Sequence, residues 1–286
     1  MKAHSTARTL DRSDSELEGE RAARAAALDA AKRGQVQRQL PLWEEFLRAI
    51  PNDFARSSLF TTRSKKTPRR MLRDVRLHVM GDVEMTYRGE ELRQDDELVW
   101  VQVMHLARLQ PLMTSVTFTP AVFMRELGWK SAGKREYDRL RAHLSRLTAT
   151  TIQIRSKKLG AILGVSLIRK FECLDDGPWR VFIENEMRQL YPDSYYTQIL
   201  WEQRKSLPMG LSAKLHGYYA SHREPWPVSV SNLHALCASD AEVRFFKPKL
   251  LRALESLKAV GFLESYRIEQ DIVHVKRAGA SAARGR

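Results

Sequence analysis

An amphipathic pattern that occurs twice constrains the fold of this 286-residue chain more than any other feature. In "KREYDRLRAHLSRL", Leu140, Leu144 and Leu147 fall at helical spacing, so they share one face of a predicted helix. The pattern recurs 110 residues later, and each copy continues from helix into strand. The matched pairs are Leu140 with Leu250, Leu144 with Leu254, Leu147 with Leu257, Ala149 with Ala259 and Ile152 with Phe262. The repeat predicts two similar folding units.

The segments around the first copy predict a winged helix. "DDELVWVQVMHLARLQ" predicts a buried helix whose first turn carries acids, which suit the helix dipole. "SVTFTPAVFMRELG" predicts a second helix, with Thr119 as its cap, Pro120 at its first position and Gly128 at its end. After the basic helix, "TTIQIR" and "GAILGVSLIRKFECL" predict strands joined by the basic turn "SKKLG". In this fold the third helix enters the major groove of DNA and the hairpin contacts the backbone.

The second copy lies in the same predicted order of elements. "LPMGLSAKLHGYYASHRE" and "VSNLHALCAS" predict its first two helices, with Ser231 as the cap of the second. Because proline is tolerated in the first helical turn, Pro248 predicts that the third helix starts near Phe246, with Arg244 on its approach. "GFLESYRIEQDIVHVKR" then predicts a hairpin that turns near residues 269–271.

The predicted fold class is therefore α+β, with two tandem winged-helix domains at residues 55–190 and 195–277. The start of the chain is rich in alanine and charge but has no strong apolar face, so residues 1–50 are predicted to be a flexible N-terminal region. The small and basic residues 278–286 predict a disordered tail.

Charge restricts the partners of the chain. The formal net charge is +14 and the pI is about 10.0, so polyanions are attracted and their binding depends on salt. No run approaches the ~18 apolar residues of a membrane span. The N-terminus has no apolar signal-peptide core, so we expect a cytoplasmic protein whose partner is nucleic acid, not membrane. Residues 55–76 carry eight cations against the single acid Asp74, an excess that suits phosphate contacts.

Catalytic and metal-binding patterns are weak. "GWKSAGKR" fits G-x-x-x-x-G-K through Gly128, Gly133 and Lys134. However, Arg135 stands where a phosphate-binding loop needs Ser or Thr for magnesium, and the preceding segment is helical in pattern. Helix capping explains the consecutive acids 95–97 more simply than a metal site does. No catalytic residue, metal or cofactor is predicted, and a nuclease or an NTPase is the enzymatic alternative.

Longer segments resemble the TrfA family of plasmid replication initiators. They are "PNDFARSSLFTTRSKK", "ELRQDDELVW", "LSRLTAT", "YYTQILWE" and "SHREPWPVSVSNLHALC", and the likeness runs from about Pro51 to Arg277. The resemblance implies two winged-helix domains whose monomers bind direct repeats, called iterons, at a plasmid origin, with dimers as the inactive form. It also implies opening of an adjacent AT-rich segment, recruitment of the host replicative helicase with its loading factors and of the sliding clamp, and no enzymatic activity.

The resemblance gives a meaning to the stretch "QRQLPLWEEF". TrfA-like proteins carry a clamp-binding peptide ahead of their winged helices, and residues 39–43 resemble it, with Trp where Phe is commoner. In this interpretation Leu42 and Trp43 fill an apolar pocket of the clamp, Gln39 hydrogen-bonds at its rim, and Leu40 belongs to the same site. Alternatively, Leu40 and Trp43 begin the helix "LWEEFLRAI" and pack on the first domain.

The predicted function is a non-enzymatic plasmid replication initiator that binds double-stranded DNA. The sequence does not predict whether the protein also binds single-stranded DNA, or the balance between monomer and dimer. The second domain is expected to supply most of the base readout, through Arg244, Lys247, Lys249 and Arg252. The first domain is expected to contact phosphates through Lys130, Ser131, Lys134, Arg135 and Arg139, and through Lys157 and Lys158 of the hairpin turn. The alternative is a winged-helix transcription regulator, which would bind similar DNA without touching the clamp.

Overall fold

A computed structural model describes residues 40–109, 115–155, 162–175, 177–191 and 195–279, and the fold is mixed α/β. The helices are α1 (Asn52–Ala55), α2 (Gln94–Ala107), α3 (Pro120–Glu126), α4 (Lys134–Thr148), α5 (Trp201–Ser206), α6 (Leu211–Ala220), α7 (Val230–Leu236) and α8 (Val243–Ala259), with a 3-10 helix at Asn185–Leu190. The strands are β1 (Leu47–Pro51), β2 (Phe60–Thr61), β3 (Met71–Arg76), β4 (Glu84–Glu90), β5 (Leu92–Arg93), β6 (Ser115–Phe118), β7 (Thr151–Arg155), β8 (Ile162–Val165), β9 (Lys170–Glu172), β10 (Trp179–Phe182), β11 (Tyr196–Leu200), β12 (Val228–Ser229), β13 (Leu263–Glu269) and β14 (Ile272–Arg277). Across these ranges, none of the helices combines the length and the apolar character that a membrane crossing requires.

The strands form several small sheets. The largest has the order β3-β4-β7-β8, so it pairs the hairpin that follows α4 with strands that precede α2. A second sheet has the order β6-β10-β9. In the other half of the chain, β12 pairs with β14 and completes a sheet of order β12-β14-β13 next to α8. β1 pairs with β11, and β2 with β5.

Buried apolar side chains form two clusters within one compact unit. The first runs from Leu40 to Trp201 and contains the leucines of α4. The second runs from Leu207 to Val273 and contains those of α8. The six leucines of the repeat, Leu140, Leu144, Leu147, Leu250, Leu254 and Leu257, are all fully buried. The two predicted leucine faces are therefore confirmed, and apolar burial holds each helix in its half of the molecule.

Helix α8 begins earlier than Pro248 predicts. It starts at Val243, where N–H groups of its first turn bond to the carbonyl of Glu242. Pro248 consequently lies in the second turn, and the predicted start near Phe246 is wrong. Pro248 has no N–H to donate to the carbonyl of Arg244, its usual partner in the helix. The helix tolerates this loss because Arg244 is exposed to water.

One predicted helix cap is also wrong. Helix α7 is capped by Ser229, whose Oγ accepts the N–H of Asn232 at 3.1 Å, rather than by Ser231. Ser229 has the extended backbone that a cap requires, whereas Ser231 already lies inside the helix. Thr119 does precede α3, with Pro120 at the first helical position, but its side chain makes no capping hydrogen bond.

Residues 40–51 belong to the first core. β1 pairs with β11, and Leu40, Trp43 and Ile50 are buried. The predicted flexible region 1–50 therefore does not extend over residues 40–50, and in place of the helix considered for "LWEEFLRAI" the structure has a turn at residues 45–46 followed by strand β1. Local sequence cannot reveal this strand, because its partner is distant along the chain. Residues 1–39, and 280–286 of the predicted tail, lie outside the described residues.

Candidate nucleic-acid interface

Helix α4 presents its predicted DNA contacts to solvent. Lys134 and Arg135 are its first two residues and follow the N-cap Gly133. The guanidinium carbon of Arg139 lies 4.1 Å from the ring centroid of Trp129, a cation–π contact that orients this side chain. The predicted contacts of the first half are all exposed, two in the loop before α4 and three on α4 itself: Lys130, Ser131, Lys134, Arg135 and Arg139. Lys157 and Lys158 lie outside the described residues.

Helix α8 carries the second predicted set, and its four members Arg244, Lys247, Lys249 and Arg252 are all exposed. Arg244 Nε lies 2.9 Å from Glu242 Oε2, and Lys247 Nζ lies 2.6 Å from Asp271 Oδ1 in the hairpin β13–β14. Lys249 and Arg252 form no ion pair with a described residue. These two cations are therefore the members of the set that are most available to phosphates or base edges.

The tip of the hairpin β13–β14 is a two-residue turn. Gln270 and Asp271 have φ angles of 48° and 63°, the left-handed conformation that tight hairpin turns require. Glu269 and Ile272 pair on either side of it. The turn predicted near residues 269–271 is confirmed, and Asp271 connects it to α8 through Lys247.

A buried carboxylate, that of Asp96, holds the inner side of α4. His143 Nδ1 and Arg146 Nε lie 2.7 Å and 3.0 Å from Oδ1, and Arg69 Nη1 lies 2.6 Å from Oδ2. Burial alone would raise the pKa of this carboxyl, but the hydrogen bond from His143 and the charges of Arg146 and Arg69 outweigh it and hold the pKa well below its usual range. Asp96 Oδ2 also accepts the N–H of Arg93 at 2.8 Å, so its predicted capping of α2 is confirmed.

Neither candidate for catalytic chemistry has the required surroundings. Asp95, Asp96 and His143 are close enough together to hold a metal ion. However, the guanidinium groups of Arg69 and Arg146 already contact the oxygens of Asp96, so an added cation would meet two fixed positive charges. The "GWKSAGKR" segment lies between α3 and α4 instead of after a strand, which is not the geometry of a nucleotide-binding loop.

Buried charges join the two halves of the molecule, and sequence reasoning missed them. Arg204 Nη2 donates to Glu97 Oε1 at 2.6 Å, and Lys214 of α6 donates to the carbonyl of Ser57. Burial lowers the pKa of both cations. The lysine within the apolar run "LSAKLHGYYA" is a sequence signal for this site, because it places a charge on a helix that is buried on almost every side.

Two of the four predicted clamp-binding residues lie in the first core. Leu40 is 2% and Trp43 6% exposed, whereas Leu42 is 65% exposed. Trp43 Nε1 donates to His105 Nδ1 at 3.0 Å. Gln39 lies outside the described residues. The positions of Leu40 and Trp43 thus agree with packing on the first domain, and they conflict with direct insertion of Trp43 into a pocket of another protein.

Known proteins resemble the chain over both halves. A sequence profile of the family described as "TrfA protein" matches residues 15–277. The plasmid replication initiator protein TrfA of Escherichia coli is 38% identical over 268 residues, which cover 90% of this chain and 70% of that protein. Two crystal structures of domains 2 and 3 of RctB share the fold, with TM-scores of 0.55 and 0.54 at 15% identity, and they cover 80% and 79% of this chain and 99% and 96% of theirs. Since the family match includes both leucine-backed helices and their exposed cations, the chain belongs to the TrfA family.

Proposed function

We propose that this protein initiates plasmid replication by binding direct repeats at the origin, and that it does so without enzymatic activity. The observation that carries the proposal is the 38% identity to a plasmid replication initiator over 268 residues. The surface chemistry supports it, because two helices backed by buried leucines present cations to solvent. Exposed cations attract the phosphate backbone, and a helix fits the major groove.

In this proposal each half acts as a winged helix. The second half has the expected order, in which α6, α7 and α8 precede the hairpin β13–β14. Helix α8 enters the major groove and reads bases, mainly through Lys249 and Arg252. Helix α4 adds phosphate contacts from the first half. Lys157 and Lys158 add further phosphate contacts, a role that rests on their position between β7 and β8 in the sequence.

Membership of the family extends the proposal to partners. Monomers bind the repeats, dimers are inactive, and the bound initiator opens the origin and recruits the helicase and the sliding clamp in the cytoplasm. Clamp binding through residues 39–43 requires Trp43 to leave its hydrogen bond with His105. Leu42, which is already exposed, is the side chain able to make the first contact.

Binding to a duplex that contains the plasmid's origin repeats tests the proposed function. We expect the protein to protect the repeats in a footprinting experiment. The Kd should be at least about 10³-fold lower for this duplex than for a scrambled duplex of the same length and composition, as is typical of specific DNA-binding proteins. The same salt concentration must be used for both. Equal affinity for the two duplexes would reject the proposal.

A further inference from the structure

A turn over residues 64–67 displays two lysines on the protein surface. The N–H of Thr67 donates to the carbonyl of Ser64 at 3.1 Å and closes the turn. Lys65 and Lys66 occupy the two central positions, and both are exposed. This lysine turn lies within the strongly basic segment 55–76, whose charge the predicted contacts of α4 and α8 do not account for.

A buried arginine holds the lysine turn from beneath. Arg93 is 5% exposed, and its Nη1 and Nη2 donate to the carbonyls of Ser64 and Thr67, both at 2.8 Å. Its Nε donates to Glu91 Oε1, also at 2.8 Å. The guanidinium therefore fixes both ends of the turn before any partner binds, which reduces the conformational entropy that binding would remove.

The same segment is attached to the loop that leads into α8. The N–H of Thr62 donates to the carbonyl of Cys237 at 2.9 Å, and Arg63 Nε lies 3.6 Å from Asp240 Oδ2. Asp240 precedes the first residue of α8, Val243, by three positions. The N-terminal end of a reading helix of this kind enters the groove, so the lysine turn lies beside the loop that leads α8 toward the DNA, ahead of Lys249 and Arg252.

Acidic neighbours pair with only part of the charge on this surface. Lys65 Nζ lies 3.5 Å from Asp95 Oδ2 and remains 59% exposed. Lys66 and Arg70 are exposed and form no ion pair with a described residue. The side chain of Arg63, by contrast, is 7% exposed, and its ion pair with Glu91 anchors the segment. The cations are thus divided between an inner set that fixes the loop and an outer set that faces solvent.

We propose that the lysine turn binds the DNA phosphates that flank the groove entered by α8. The inference rests on the proposed function. It adds a DNA contact from the first half of the chain beside the reading helix of the second half. Lysine binds phosphate as a point charge and does not distinguish bases. Lys65 and Lys66 should therefore raise affinity for any duplex and fix the register of α8 without contributing to sequence preference.

The salt dependence of binding tests this inference. The Kd of the wild type and of Lys65→Ala/Lys66→Ala would be measured on the repeat duplex and on the scrambled duplex from ~50 to ~200 mM salt. Loss of two phosphate contacts should reduce the slope of log K against log salt by about 1.8 on both duplexes. Lys65→Arg/Lys66→Arg should keep the wild-type slope, because it keeps the charge.

A matched control removes the same charge elsewhere. Lys170→Ala/Arg180→Ala replaces two exposed cations on β9 and β10, outside α4, α8 and the hairpins β7–β8 and β13–β14, and its slope should stay within about 0.3 of the wild-type value. An unchanged slope in Lys65→Ala/Lys66→Ala, or an equal loss in the control, overturns the inference. Loss of slope on both duplexes without preference for repeats would support the lysine turn and reject the proposed function. If the wild type prefers the repeats but the slope of Lys65→Ala/Lys66→Ala is unchanged, the proposed function is supported and the role of the lysine turn is rejected.

Discussion

Helices α4 and α8 share a buried leucine face but differ in what their remaining side chains contact. In α4, His143 and Arg146 bind the buried carboxylate of Asp96. At the matching positions of the 110-residue repeat, α8 has Ala253, which is buried among apolar side chains, and Ser256, whose hydroxyl donates to a carbonyl of its own helix. The first helix is therefore held by apolar packing and a buried ion network, and the second mainly by apolar packing.

Because of this difference, different substitutions should destabilise the two helices, and the helices leave different amounts of polar surface for DNA. A buried ion network depends on every member, because removal of one partner leaves the others charged and unsolvated. Apolar packing depends on volume, so it is sensitive to cavities. The leucines of α4 and α8 should thus have similar energetic roles, whereas the charges should not.

The largest expected effect follows loss of the buried acid. Asp96→Ala leaves His143, Arg146 and Arg69 without their shared anion, and we expect the free energy of unfolding to fall by about 3–5 kcal/mol. Urea unfolding followed by circular dichroism measures it. In the control Asp138→Ala, which removes the exposed partner of Arg141 on the same helix, the loss should stay below about 1 kcal/mol. Similar losses in the two variants would mean that the network around Asp96 does not support α4.

Matched cavities in the two leucine faces should have similar costs. Leu144→Ala and Leu254→Ala each remove a fully buried side chain at the same position of the repeat. We expect each to lower the free energy of unfolding by about 2–5 kcal/mol. Urea titration gives the size of the loss, and amide hydrogen exchange shows which half opens. A loss confined to one variant would show that only one of the two helices packs as the repeat implies.

The two cationic surfaces should affect DNA binding differently. Lys249→Ala/Arg252→Ala should reduce the preference for repeats over scrambled DNA by roughly 10–100-fold, because a base contact contributes about 1–3 kcal/mol of discrimination. Lys134→Ala/Arg135→Ala removes the same charge from α4 and should weaken binding to both duplexes alike. Fluorescence anisotropy with the two duplexes distinguishes these outcomes. The opposite assignment of the two effects would mean that α4 is the reading helix.

Sequence patterns revealed the features that depend on local periodicity. The leucines of α4 and α8, the exposed cations and the turn at Gln270 and Asp271 all follow from spacing or from turn chemistry. The features that were missed are contacts between segments distant in sequence. The capping role of Asp96 was visible as an acid at the start of α2, but its bond to α4 was not. Likewise, Trp43 is buried because β1 pairs with β11, and no local pattern encodes that pairing.

Two buried histidines, one from each half, also differ in their surroundings. His143 of α4 faces the carboxylate of Asp96. His216 of α6 faces the amide oxygen of Gln203 at 3.0 Å, and its Nδ1 has no hydrogen-bond partner among the described residues. Burial holds the pKa of His216 well below its usual range, and the positive charges of Arg204 and Arg277 lower it further.

The second half should therefore lose stability in mild acid. The unfolded chain takes up a proton at His216 near pH ~6.5 and the folded chain does not, so the free energy of unfolding falls as the pH drops below that value, by up to about 1.4 kcal/mol per pH unit. In His216→Gln this contribution is absent, and urea unfolding at pH 7, 6 and 5 should show a flatter dependence on pH than in the wild type. The comparison uses the slope with pH and not the stability itself, since the substitution also changes packing against Phe262. If the two proteins lost stability in parallel between pH 7 and 5, the acid sensitivity would have to come from another group, and the contrast between the two buried histidines would have no energetic consequence.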